Sequence, residues 1–208
     1  MKKTFSLLLL LFMVLLSVAQ EGSNAQKSGA FASGRLGAYG GVNFANIKED
    51  DEEFNKSLTG FQLGLMYRLY SPGDLFSLWI EPGYNAIGGK YEESFEDQTY
   101  SSSVNLGYIM IPVMARFQAQ NGLFGDVGVQ PQFLVSAKAK FDGEPDEDIK
   151  DEINGFDFGI PFGVGYEYKK KVGIRAGYYL GLSNLVKDGG SDIQAFNRVF
   201  SIRLHFRF

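Results

Sequence analysis

From Arg35 to the end of the chain, large apolar side chains recur at every second position. Phe61, Leu63, Leu65, Tyr67 and Leu69 alternate with Gln62, Gly64, Met66 and Arg68. Phe158, Ile160, Phe162, Val164, Tyr166 and Tyr168 alternate with Asp157, Gly159, Pro161, Gly163, Gly165 and Glu167. Ile174, Ala176, Tyr178, Leu180 and Leu182 alternate with Arg175, Gly177, Tyr179 and Gly181. The last segment places Phe200, Ile202, Leu204, Phe206 and Phe208 on one face and Ser201, Arg203, His205 and Arg207 on the other. A period of two is the strand signature, because successive side chains of a strand point to opposite faces. Eight strands are predicted, near 35–45, 58–70, 75–89, 103–118, 123–141, 155–169, 172–186 and 196–208. Most reach the 9–11 residues that a tilted strand needs to cross a bilayer, where globular strands average about five or six.

The connections alternate as well. Tight turns are expected at 71–74, 120–122 and 169–171, and long loops at 46–57, 90–102, 142–154 and 187–195. An even strand number with short turns on one side and long loops on the other describes an outer-membrane barrel whose termini both face the periplasm. The fold class expected is therefore all-β, an eight-stranded antiparallel up-and-down transmembrane β-barrel. A soluble barrel of the lipocalin kind would point its apolar face inward.

Charge decides between the two. The four long loops hold 18 of the 24 acidic residues. Glu81, Asp126, Asp157 and Glu167 lie within strands, on the parity of the glycines and polar residues, and Arg68, Arg116, Arg175 and Arg203 share it. A lipid-facing Arg or Lys at the midplane costs about 2–4 kcal/mol, so a one-residue slip of every strand would cost on the order of ten kcal/mol. Apolar groups are thus expected outward; in water the same face would be an intolerable patch. An eight-strand barrel is just wide enough for its side chains to fill. Together with Gln62, Gln130, Gln132 and many glycines on the inward side, the eight charges are expected to form a hydrogen-bonded, structural ion-pair network that plugs the lumen, in preference to a narrow ion path or an acid/base pair.

The first residues read differently. Met1, Lys2, Lys3 and Thr4 precede an apolar run over 5–16, and Ser17, Val18 and Ala19 supply small residues for cleavage before Gln20. These are the parts of a secretory signal peptide, and the run is too short for a spanning helix. Residues 1–19 are expected to be that signal, 20–34 a flexible lead-in, and 35–208 the barrel domain. A net charge of −4 with a pI near 5.1 argues against nucleic acid, whose phosphates call for a basic face. The absence of Cys removes disulfides and thiolate zinc sites.

Several strands resemble a known family. Leu78-Trp79-Ile80-Glu81-Pro82-Gly83-Tyr84 resembles the third-strand motif of PorT-like outer-membrane β-barrels of Bacteroidota. Tyr108-Ile109-Met110-Ile111-Pro112-Val113 resembles the fourth-strand motif, Tyr179-Leu180-Gly181-Leu182-Ser183-Asn184 the penultimate strand, and Arg198 to Phe208 the closing one. The chain departs from the pattern where Met110 stands for a Glu and where Glu81 precedes Pro82 in place of following a Pro. The resemblance implies an outer-membrane barrel and, through the founding member, a part in exporting proteins across the outer membrane.

Other residues are weighed singly. His205, the sole His, lacks an arguable Ser or carboxylate partner for barrel-enzyme chemistry and is expected to pack in the lumen. The runs at 49–53 and 146–148 match no defined Ca²⁺ loop and read as a solvated surface. Pro82, Pro112, Pro131 and Pro161 each must mark a bulge or a broken ladder bond in a barrel without edges, either as unrelated bulges or as a belt at one height. Phe206 and Phe208, on the lipid-facing parity, resemble the C-terminal signal read by the barrel-assembly machinery. The expected protein is a non-enzymatic outer-membrane scaffold without cofactor or metal, in contact with outer-membrane lipid. The assembly machinery serves it during insertion, and secretion-system proteins are partners if the resemblance extends to function. A lipid-modifying barrel enzyme is the third reading.

Overall fold

The computed structural model describes residues 35–49, 56–95, 98–141, 143, 145–187 and 194–208. The expected signal peptide and lead-in lie outside the described residues, as do the acidic positions 50–53. Eleven strands form one antiparallel sheet: β1 (Leu36–Glu49), β2 (Lys56–Tyr70), β3 (Phe76–Ile80), β4 (Gly83–Phe95), β5 (Gln98–Met110), β6 (Val113–Gln118), β7 (Leu123–Phe141), β8 (Glu147–Asp148), β9 (Phe156–Tyr168), β10 (Val172–Gly181) and β11 (Ala195–Arg207). β3 with β4, and β5 with β6, are two halves of single staves, and the two-residue β8 lies off the ring beside β7, so eight staves result among the described residues. β1 pairs with both β11 and β2, which closes the sheet on itself.

Alternation translates into orientation along every stave. Leu65, Val164, Leu204, Phe206 and Phe208 stand exposed on the outer wall, whereas Met66, Arg175, Arg203 and His205 are buried inside. Cross-strand aromatic pairs line the outer wall, among them Phe44 with Phe200 and Phe162 with Tyr178. Such rings pack well on a pleated surface.

The prolines behave differently from a set of bulges. The stave halves are interrupted at Glu81–Pro82 and Ile111–Pro112, which face one another at constant register between Ile80↔Val113 and Gly83↔Met110. The carbonyls of Pro82, Pro112 and Pro131 accept from the N–H groups of Leu65, Glu81 and Ile111, at 2.9, 2.9 and 3.0 Å. Each ring deletes only the donor half of the exchange. In register Pro82 faces Ile111, Ile111 faces Pro131, and Pro112 adjoins that row. Pro161 stands three residues along β9 from Phe158, the partner of Pro131, where the β7–β9 pairing lapses between Val127↔Phe162 and Gln130↔Gly159. Register shifts occur elsewhere, at Arg68/Tyr70, Ser57/Gln62 and Gly107/Tyr108. Gly88, at φ 151°, stands within the stretch of β4 facing the second of these.

One connection departs from the sequence reading. Residues 90–102 were expected as a long loop, yet β4 and β5 continue pairing to Phe95↔Gln98. Above the lipid no face is selected, so alternation vanishes while backbone pairing persists. The segment at 142–154 also folds back, Glu147 and Asp148 pairing with Ala139 and Lys138.

At the opposite end Lys170 donates to Asp74 at 2.7 Å, linking the β9–β10 turn to the β2–β3 turn. That contact holds the exposed Asp74 carboxyl below the usual carboxylate range. A lowered folded value means stability that is present above the unfolded carboxyl's pKa, about 3.9, and is lost as pH falls through the lowered value. An NMR titration of Asp74 should find that low midpoint, and Lys170→Gln should return it to the ordinary range. On the outer wall, Leu65→Arg should destabilise the barrel by about 2–4 kcal/mol in denaturant titrations in phospholipid.

Candidate functional site: the filled lumen

The short-turn half of the lumen is ionic. Glu167 on β9 accepts from Arg207 at 2.6 Å and faces His205 Nε2 at 3.0 Å, with Gln118 at 3.4 Å. An ionised carboxylate only accepts, so Nε2 carries the proton in this contact. Asp126 on β7 binds Arg116 of β6 at 3.1 Å and Arg175 of β10 at 2.8 Å. Glu81, in the gap between β3 and β4, binds Arg203 of β11 at 2.6 Å and stands 3.6 Å from Arg116. Aromatic faces complete the cluster. Arg68, Arg116 and Arg207 lie 5.8, 5.3 and 5.0 Å from the ring centre of Trp79, and Arg203 lies 4.6 Å from that of Tyr39. The guanidinium of Arg175 lies flat along the wall because Gly163 and Gly177 flank it; a Cβ on Gly177 would fall 2.1 Å from Arg175 Nη1.

The middle of the lumen is built from amides. Gln62 donates to Asn43 at 2.8 Å, Asn43 to Asn85 at 2.7 Å, and Asn85 to Gln132 at 3.3 Å. Gln130 also donates to Gln132, at 3.1 Å. Gln132 and Asn197 then donate to Asp157 Oδ2 at 2.8 and 2.7 Å. The chain runs in one direction and ends on the carboxylate, so the aligned dipoles supply the positive end that no guanidinium provides. Between the two tiers lies a cavity of about 30 Å³, bounded by Glu81, Arg203, Asn85 and Gln130. It is about the size of one or two water molecules.

The long-loop half is apolar. Ala45, Ile47, Ile87, Leu106, Leu134, Ala137, Ala195 and Val199 pack inside the barrel around Tyr108 and Tyr179. Leu185, Ile149, Ile153 and Val186 close the mouth from the loops. Asn154 Nδ2 fastens those loops by donating to the carbonyls of Asn184 and Val186 at 2.9 and 3.0 Å.

The sequence-predicted residues thus separate. Glu81, Asp126, Glu167, Arg116, Arg175 and Arg203 come together in one cluster. Asp157 is held by amides and meets no guanidinium within 4 Å among the described residues. Arg68 is half-buried at the rim over Trp79, with no carboxylate within 4 Å among the described residues. His205 is buried in the lumen as expected, edge-on to Phe124, but contrary to the sequence reading it has a carboxylate partner, Glu167, at 3.0 Å. Gln62, Gln130 and Gln132 stand in the lumen as expected, whereas Arg207, Asn43, Asn85 and Asn197 were missed as members although they share the inward parity. The apolar tier carried no signal, since parity assigns a side chain to the lumen without saying what it meets there. Of the acidic loop runs, 146–148 is described; Glu147 and Asp148 form β8, and Asp146 faces Lys140 at 3.2 Å and Lys138 at 3.8 Å. Phe206 and Phe208 stand on the outer wall with ring centres 5.5 Å apart.

What this arrangement does chemically is cross-link staves. Breaking a buried pair by removing one partner costs about 3–5 kcal/mol, whereas an apolar replacement of both is tolerated far better. Glu81→Gln should therefore lose about 3 kcal/mol or more in denaturant titrations, and Glu81→Met with Arg203→Met should recover most of it. Asp157→Asn should cost less than Glu81→Gln by about 2 kcal/mol, because it strands no guanidinium.

No curated protein matches this chain. Among solved structures, neisserial surface protein A (NspA) is similar with a TM-score of 0.54 at 16% identity, over 85% of this chain and 98% of that one. Ail of Yersinia pestis follows with a TM-score of 0.47 at 18% identity, over 85% and 99%. OprG of Pseudomonas aeruginosa gives 0.42 at 12%, over 85% and 96%. At such identities the likeness to NspA shows the fold alone. The outer membrane protein beta-barrel domain matches residues 19–187, most of the chain. The closed ring, the apolar outer wall and this match together make the chain a member of the outer membrane protein beta-barrel domain family.

Proposed function

We propose that this protein is a non-enzymatic scaffold of the Gram-negative outer membrane, closed to solutes, which meets its partners through its ends. The observation that carries this reading is the filled lumen: three tiers of side chains with a cavity of about 30 Å³ at mid-height. The short-turn end, with both ends of the barrel domain, faces the periplasm, and the acidic long loops face outward. Residues 1–19 serve as the secretory signal, and Phe206 with Phe208 as the mark read by the assembly machinery. The ion pairs of Glu81, Asp126 and Glu167 serve structure, as does His205, which is buried beside Phe124 without a nucleophile in its contacts.

A second reading, membership of a protein-export apparatus, is favoured by the motifs around Trp79, Pro112 and Tyr179 that resemble PorT-like barrels. Deleting the gene should then trap exported proteins in the periplasm, and normal export counts against it. For the leading reading, planar bilayers carrying the purified barrel should conduct no more than bare lipid. Steady ion-selective steps would overturn the closed-lumen reading.

A further inference from the structure

The two ends of the barrel carry opposite charge. The long loops hold 18 of the chain's 24 acidic residues. At the short-turn end the described residues present Arg35, Arg68, Lys169, Lys170 and Lys171 against one exposed carboxylate, Asp74, which Lys170 already holds at 2.7 Å. We propose that this end binds the phosphate headgroups of anionic phospholipids in the inner leaflet of the outer membrane, through Lys169, Lys171, Arg35 and Arg68. The choice of leaflet rests on the orientation proposed above; the headgroup chemistry does not.

An independent observation comes from the backbone of the β9–β10 turn. Lys169 and Lys170 have φ of 49° and 54°, and Lys171 N–H closes the turn on the Tyr168 carbonyl at 3.0 Å. Two successive residues with positive φ favour Asn-Gly, since a Cβ is strained there. The chain places lysines where the backbone disfavours them, so positive charge at this tip outweighs local conformational preference.

The surroundings suit a headgroup. Tyr70, Leu75 and Tyr168 stand exposed on the outer wall beside the turns, the aromatic and apolar girdle expected where acyl chains give way to headgroups. Lys169 Nζ lies 5.1 Å from the Tyr168 ring centre, so its ammonium is held at that level. A cleft of about 400 Å³ beside the β2–β3 turn is lined by Arg35, Arg68, Ser71, Gly73 and Asp74, which gives two guanidiniums one concave approach. Juxtamembrane basic residues are drawn to anionic lipid within a Debye length of the surface.

The test uses the mature chain in nanodiscs of equal parts zwitterionic phosphatidylcholine and anionic phosphatidylglycerol, with retained lipid read by native mass spectrometry. Phosphatidylglycerol should be retained several-fold over phosphatidylcholine, falling toward parity when the discs are equilibrated in about 1 M salt. Lys169→Asn, Lys170→Gly and Lys171→Gln combined should remove most of the preference, leaving only the share of Arg35 and Arg68. The unfolding midpoint of that variant in phosphatidylcholine alone should equal or exceed the parent's, because Asn-Gly suits the turn. Lys169→Gln with Lys171→Gln, which keeps the Lys170–Asp74 contact, should reduce the preference without touching the turn. Equal retention of both lipids by the parent, or an unchanged preference in both variants, would overturn the proposal in favour of an acidic soluble partner. Orientation is read separately. Single cysteines at Gln120 and Glu147, clean probes in a chain without Cys, should react with an impermeant maleimide in intact cells at Glu147 alone. Labelling at Gln120 with the lipid preference intact would fail the orientation and leave headgroup binding standing.

Discussion

A ring of eight staves leaves room for little beyond its own side chains, so polar groups turned inward draw most of their partners from one another. Most of the architecture follows from that constraint. Bilayer on one side and a filled lumen on the other leave each residue a binary choice, and Glu81, Asp126, Asp157, Glu167, Arg116, Arg175 and Arg203 fall to the lumen. The lumen then solves its electrostatics in two ways. Glu81, Asp126 and Glu167 are paired with guanidiniums, whereas Asp157 is held by the end of an amide chain. Both remove a bare buried charge, one by opposite charge and the other by aligned dipoles.

Local sequence choices serve this filling. Gly163 and Gly177 lack side chains where Arg175 must lie against the wall, and Gly159 leaves room for the ring of Tyr179. Glu81 emerges from an interruption in its stave, where Pro112 on the facing stave accepts its N–H. The missing donors of Pro82, Pro112 and Pro131 weaken the ladder over adjoining register positions without moving its register, so the charge cluster keeps its alignment across the breaks. At the long-loop end, where loops close the mouth, the filling turns apolar and needs no partners.

Function follows from what a sealed cylinder leaves available. With most of the interior engaged with itself, the proposed function assigns contact with other molecules to the rims and the outer wall. Those rims are chemically unlike, acidic at the long loops and basic at the short turns, while the wall between them is apolar and aromatic. On the proposed closed-lumen reading, such a molecule is a polarised spacer across a bilayer rather than a conduit through it.

The strands, their number, their outward faces and the inward placement of the charges were legible in the chain, because period-two alternation is imposed by the bilayer residue by residue. β7 and the closing strand β11 needed no tertiary information to find. The extension of β4 and β5 above the lipid was not legible, since no medium there selects a face. Nor was the division of the lumen into ionic, amide and apolar tiers. Glu81 and Arg203 stand 122 residues apart, and only the stagger of the closed sheet brings them to one level. Parity decides whether a side chain points inward; the register around the ring decides what it meets there, because neighbours across a lumen are fixed by all eight staves at once.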